Sequence, residues 1–338
     1  MNKKISILAL IFTILFGCKK DSKFPEVKNL SEFSHTQFIP TLENQISKNE
    51  NSVYCATLLF AWDEIRNQIN SPLTISEEYS DLILFNNSKS FMDVLKPEEY
   101  KVSGEIDGEM VKAYAEFSKS LPLEIKLTSF TNKLTFDGKK VSSFGLDGSE
   151  ENEVFDSFRI VYYKNDDNFI VQLFSKDKEH EIILFKSEKD FNSIAEMNTE
   201  IKRLTEIGNS ERQDERINWR YFLRYEDELI IPKFKFNIET DYLTLEGTHF
   251  NVDKQIFTIE KAWQRTAFIL DESGAEIESE AAMDAVAEAA EDEEIEKEIP
   301  RPKKMIFDKE FLILLKRKDA ENPYFGMWTT NTELMILE

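Results

Sequence analysis

The stretch "FILDESGAEIESEAAMDAVAEAAEDEE", residues 268 to 294, constrains this chain more than any other segment because it satisfies two structural periods at once. Its Ala and Glu content favours a helix. Its alternation favours a strand: Ala275, Ile277, Ser279, Ala281, Met283, Ala285 and Ala287 share one face. Glu276, Glu278, Glu280, Asp284 and Glu288 occupy the other. A segment with both periods is either a charged surface helix or an element able to change state.

The rest of the chain bounds what such an element could serve. A length of 338 residues and an apolar content of 41% allow a large core. A net charge of -22 argues against a nucleic-acid partner, since phosphates would be repelled. His35, His180 and His249 are scattered, and no His/Cys set suits zinc. The acidic run Glu291 to Glu294 lacks the spaced Asp/Asn-Gly pattern of a calcium loop. No Gly-rich phosphate loop and no GxSxG elbow occur. Neither a metal nor a cofactor is therefore expected, nor an enzymatic activity. Trp62, Trp219, Trp263 and Trp328 read as core or sheet-edge packing.

Residues 1–17 read as a processing segment. Lys3 and Lys4 precede the apolar run Ile5 to Phe16, too short to span a bilayer. The run closes in "LFGCKK", with Leu15 three residues before Cys18 and Gly17 just before it. This resembles a bacterial lipoprotein signal, which implies cleavage before Cys18 and acylation of that cysteine. The alternative is a plain secretory signal. Lys19 in place of Asp implies the outer membrane or cell surface, with a periplasmic face also open, and the lipid makes the membrane a partner. Residues 18–35 then form the lipidated cysteine and a polar tether, and 36–338 a single domain. Cys55, in "VYCATLLFAW", reads as a buried structural thiol.

Periodicity predicts helices from His35 to about Asn70, with Phe38, Leu42 and Ile46 on one stripe. Residues 75 to 122 read as mixed and mostly helical, with turns at "NNSKS" and "DG". From Leu123 onward short β-rich runs dominate. "FRIVYYKNDDNFIVQLFSKDKEHEIILF" reads as consecutive strands turning at "KNDDN" and "SKDKEH". Residues 187 to 207 return to a helical period. The fold class is α+β, a helical N-terminal part on mostly antiparallel or mixed sheets.

Four blocks near the C-terminus carry a family resemblance. They are "DELIIPKFKFNIETDYL", "QRTAFILDESGAEIESEA" with its Asp271-Glu272 pair and Gly274, "MIFDKEFLILL", and "NPYFGMWTTN". In the third, Phe307, Asp308, Lys309 and Phe311 fit a Phe-Asx-basic-Pro-Phe signature in which Glu310 stands for the proline. In this order and spacing the blocks resemble a serpin, well over residues 150 to 338 and by position only over 36 to 149. The resemblance implies an exposed reactive-centre-like loop at about 272–304 that inserts into the main sheet after a protease cuts it. Its hinge would be Glu272, Gly274, Ala275, Ile277, Ser279 and Ala281. The family's usual spacing from Glu272 puts the scissile bond between Glu288 and Ala289. The implied partner is a serine or cysteine protease, trapped by a monomeric inhibitor. Against trapping stand Cys55, Ala56 and Leu58 at the places of a Ser-Pro-x-Ser motif, the bulky Ile277, Glu310, and a loop longer than usual. These favour the alternative of a serpin-fold surface lipoprotein that binds without inhibiting.

Overall fold

The computed structural model describes residues 23–107, 110–148, 156–280 and 300–338. The strands run in chain order as β1 Lys28–Asn29, β2 Thr36–Ile39, β3 Asn51–Cys55, β4 Thr74–Ile75, β5 Tyr100–Asp107, β6 Met110–Pro122 and β7 Thr128–Phe136. They continue as β8 Lys139–Leu146, β9 Phe158–Asn165, β10 Asn168–Leu173, β11 His180–Lys186, β12 Glu228–Pro232, β13 Phe234–Asp241 and β14 His249–Val252. The last are β15 Gln255–Thr258, β16 Trp263–Asp271, β17 Gly274–Glu280, β18 Lys304–Ile306, β19 Phe311–Arg317 and β20 Phe325–Thr329. The α-helices are α1 Thr57–Ile69, α2 Ser80–Asn87 and α3 Ile194–Glu211.

The strands form a six-stranded sheet, β1-β13-β16-β17-β6-β5, and a seven-stranded sheet, β2-β3-β20-β19-β11-β10-β9. A four-stranded sheet, β18-β12-β8-β7, and a small sheet, β15-β14-β4, complete the set. Most pairings are antiparallel, while β1/β13, β2/β3 and β12/β18 are parallel. The fold is thus α+β, as the sequence predicts. Among the described residues no helix is long and apolar enough to cross a membrane.

Strands β9, β10 and β11 lie where the β-rich runs place them, joined at the two expected turns. The N-terminal third differs from expectation. Phe38 belongs to β2, and Ile46 lies in the connection to β3. Every residue of β3 is buried, so the strand shows no alternation. A short strand buried on both faces, running into an apolar helix, cannot be told from that helix by period. The helix begins only at Thr57 and ends where Asn70 turns left-handed (φ 47°). Residues 100–107 and 110–122 form the paired strands β5 and β6, ending with Asp107 opposite Met110, rather than helix. Their Ala, Glu and Lys content suits a helix, but Ala115 and Phe117 point inward while Lys112, Tyr114 and Ser118 are exposed. A place beside the main sheet decides that pattern.

The two aromatic residues of the third block lie in the core. Phe307 and Phe311 are fully buried with their rings tilted against each other at 4.8 Å, and Phe169 and Phe136 meet them edge-on. Asp308 accepts a hydrogen bond from buried Lys186 at 2.7 Å, and Lys309 pairs with Asp167 at 3.0 Å. Glu310 is exposed. Trp62 and Trp219 are buried, and Trp263 and Trp328 are half-buried on strands β16 and β20.

Candidate functional site

The two periods of the opening segment resolve as a strand over its first part. Residues 274–280 form β17, seated between β16 and β6 in the main sheet. With β16 it makes a tight hairpin, Asp271 opposite Gly274 and Arg265 opposite Glu280. With β6 it pairs from Gly274 opposite Pro122 to Ser279 opposite Phe117. Ala275, Ile277 and Ser279 are buried, while Glu276 and Glu278 lie on the partly exposed face. The predicted alternation therefore holds. The expectation that the hinge is exposed until a protease acts does not: Gly274, Ala275, Ile277 and Ser279 already form a sheet strand in the uncut chain. Both flanking strands supply ladder partners, and three inward side chains lose contact with water, which favours the seated strand. A surface helix over 275–280 is equally excluded.

The hinge turn is closely fitted. Ser273 N donates to Asp271 Oδ1 at 2.7 Å, Leu123 N to Ser273 O at 2.8 Å and Leu127 N to Glu272 O at 3.0 Å. Gly274 has φ +138°, and a Cβ there would sit 2.3 Å from the Leu121 carbonyl oxygen. Only glycine meets both conditions. Burial works to raise the carboxyl pKa of Glu272, but Lys233 at 2.5 Å, with Lys126 at 3.4 Å, outweighs it and holds the group below its ordinary value.

Beneath the leading end of β17 lies a buried polar network. The Ser279 hydroxyl is 2.8 Å from Thr57 Oγ1 and 3.1 Å from Thr266 Oγ1. Gln264 Nε2 donates to Ser279 Oγ, Thr57 Oγ1 and the Cys55 carbonyl, each at 3.2 Å. Tyr242 Oη donates to Gln264 Oε1. One side chain of the loop segment thus joins β3, the start of α1, and β16. Sequence analysis missed Thr57, Gln264, Thr266 and Tyr242. The signal was present in "WQRTAFILD", where polar residues 264 and 266 share the inward register of Phe268 and Leu270. Burial pushes the Cys55 thiol up to about 11, against hydrogen bonds involving Ser279 and Thr57 that lower it. It is inert, as expected of a structural thiol. Ile277 is fully buried opposite Phe268, so its bulk is accommodated.

Ahead of Ser279 the main sheet opens into a cleft of about 1120 Å³. Leu58, Ala61, Trp62 and Ile65 of α1 form its floor, with Ala113 and Ala115 of β6 on one wall and Ala262 and Trp263 on the other. Among the described residues, β17 pairs with β6 no further than Phe117. Ala281, Glu288 and Ala289 lie outside the described residues, as does Cys18.

The far end of the loop region is also held. Arg301 pairs with Asp166 at 2.8 Å. Lys303 pairs with Asp227 at 2.7 Å, both side chains fully buried, and its ammonium also reaches the Phe222 carbonyl at 3.0 Å. Such a pair is costly to break singly because either partner would remain as a buried charge.

The β6 wall is tied to the seven-stranded sheet through Lys119, directly opposite Ile277. Lys119 pairs with Glu99, and His180 Nε2 lies 2.8 Å from Glu99 Oε1 and 3.0 Å from Lys119 Nζ. Glu99, Glu179 and His180 have the donor types of a metal site, a grouping sequence analysis missed. Lys119 and Lys96 already pair with the two carboxylates. Burial tends to raise the Glu99 pKa, yet Lys119, the Lys96 amide and His180 bring it from 4.5 down to about 2. The folded state therefore binds this proton less readily than the unfolded chain. The stabilisation is complete above pH 4.5 and is lost as pH falls towards 2. In urea titrations, the stability gap between the protein and Glu99→Gln should hold at pH 6 to 7 and shrink below pH 4.5. An unchanged gap would remove Glu99 from this role.

No protein-family model and no curated protein matches the chain. Among solved structures, it is similar to "Cleaved Serpin 42Da" at 12% identity and a TM-score of 0.33, covering 65% of this chain and 56% of that one. A loop-inserted structure of a cleaved ovalbumin mutant matches at 12% identity and a TM-score of 0.38, over 88% of this chain and 73% of the other. SRPN18 from Anopheles gambiae matches at 14% identity and a TM-score of 0.34, over 62% and 53%. The chain spans little more than half the length of the first of these structures.

Proposed function

We propose that this protein is a serpin-like inhibitor of serine or cysteine proteases, with a loop that completes its insertion into the main sheet once cut. The observation that carries the reading is β17, seated between β16 and β6 with the cleft directly ahead of it. Were the register of Ser279 opposite Phe117 to continue, residue 281 would fall opposite Ala115 and 283 opposite Ala113. The small and apolar residues Ala281, Met283, Ala285 and Ala287 would then face α1. A target protease would attack the carbonyl of Glu288 with its serine or cysteine. The peptide C–N bond breaks, Ala289 leaves as a free amine, and an ester or thioester joins the loop to the enzyme. Continued insertion would carry the acyl-enzyme along and distort it, with no catalytic group supplied by this chain. Acylation of Cys18 would anchor the molecule at the outer membrane or cell surface.

The alternative is a serpin-fold surface protein that binds without trapping. The part of the loop already seated favours it, because that burial precedes cleavage and contributes nothing to the pull on a protease. Incubation with Glu-specific and elastase-like proteases, followed by a denaturing gel, separates the two. A covalent adduct stable to boiling supports trapping. Clean cleavage with no adduct leaves the binding role.

A further inference from the structure

Residues 23–29 cross the outward face of the main sheet in successive contacts. Lys28–Asn29 run parallel to Ile238–Glu239 at the sheet edge. Next inward, Asn237 Nδ2 of β13 donates to the Pro25 carbonyl at 2.8 Å. Arg265 of β16 donates from Nε to Asn237 Oδ1 at 2.8 Å, and its guanidinium approaches Glu278 of β17 at 3.8 Å. At the far end Lys23 Nζ reaches Glu276 Oε1 of β17 at 2.5 Å. The outward glutamates of the alternation thus have two cationic partners, one from the neighbouring strand and one from the N-terminal segment.

We propose that residues 23–29 form a strap that clamps the loop strand in its seated position. This goes beyond the inhibitory reading and does not depend on it, since it concerns how firmly β17 is held in the uncut chain. The edge pairing and the Pro25 contact fix the path of the strap, and Lys23 is the end that touches the moving element. Only four residues lie between Cys18 and Lys23. Force on the N-terminal segment would therefore act on the strand that opens the slot, through a lever running across β13 and β16.

Backbone hydrogen exchange on the full chain tests the clamp. Lys23→Glu sets two carboxylates against each other, and the amides of Ile277, Glu278 and Ser279 should exchange about threefold faster, the scale set by one surface ion pair. The charge swap Lys23→Glu with Glu276→Lys should restore protection, which a merely damaged strand would not show. Asn237→Ala, which frees the Pro25 carbonyl, should speed the same amides. Those of β10 and β11 should not change in any variant. The clamp is wrong if Lys23→Glu leaves β17 exchange as it was, if the swap fails to restore it, or if β10 and β11 accelerate equally.

Discussion

A single cut between residues 288 and 289 is expected to raise the melting temperature rather than lower it. Released from residue 289, Ala281, Met283, Ala285 and Ala287 would follow Ser279 into the cleft, with Asp284 and Glu288, and also Ala282 and Val286, on the opposite face. At about 25 cal/mol per Å² over roughly 350 Å² of apolar surface, the gain is about 9 kcal/mol. With about 2 °C per kcal/mol for a chain of this size, the cut form should melt roughly 15–20 °C higher. Differential scanning calorimetry before and after limited digestion reads this directly. The internal control is Met283→Arg, which would bring a charge against Trp62 and Ile65 and should abolish most of the rise. An unchanged or lowered melting temperature in the cut protein would end the insertion mechanism, whichever protease made the cut.

Gly274→Ala should unseat β17 in the uncut chain. The added methyl group would meet a backbone carbonyl at 2.3 Å at a φ of +138°, and neither the hairpin with β16 nor the pairing with β6 can give way without losing hydrogen bonds. The cost is about 3 kcal/mol or more. The seated strand should yield before the global fold. Protection of residues 275–279 against hydrogen exchange should fall by about a hundredfold, the equivalent of that loss at ~1.4 kcal/mol per decade. Strands β9 to β11 should retain theirs. A variant with β17 as protected as before would show that the hinge geometry does not hold the strand.

What could be read without coordinates follows from local rules. The alternation over 275–279 survives as written, since a period of two has only one inward set. The β9–β10–β11 meander survives because its turns are polar and its short runs are rich in β-branched and aromatic residues. Phe307 and Phe311 were singled out by the signature they fit, and their burial in the core is known from the structure. The helix over 57–69 was legible, whereas the strands within 36–55 and 100–122 were not. A fully buried strand shows no period, and an Ala/Lys/Glu-rich strand shares its composition with a helix. The polar network was half legible: Gln264 and Thr266 break an inward apolar row, but their partners lie about 200 positions upstream and on the loop itself.

The amino-acid sequence alone settled that residues 275–287 could be a strand with one small or apolar face. Its occupancy in the intact chain depended on the tertiary structure. A strand needs neighbours on both sides, and here they come from β16, next along the chain, and from β6, over 150 residues earlier. The meeting of those edges over α1, with Thr57 and Gln264 placed to receive Ser279, is a property of packing that no local pattern contains. That meeting seats the first half of the alternation and leaves an open cleft ahead of it.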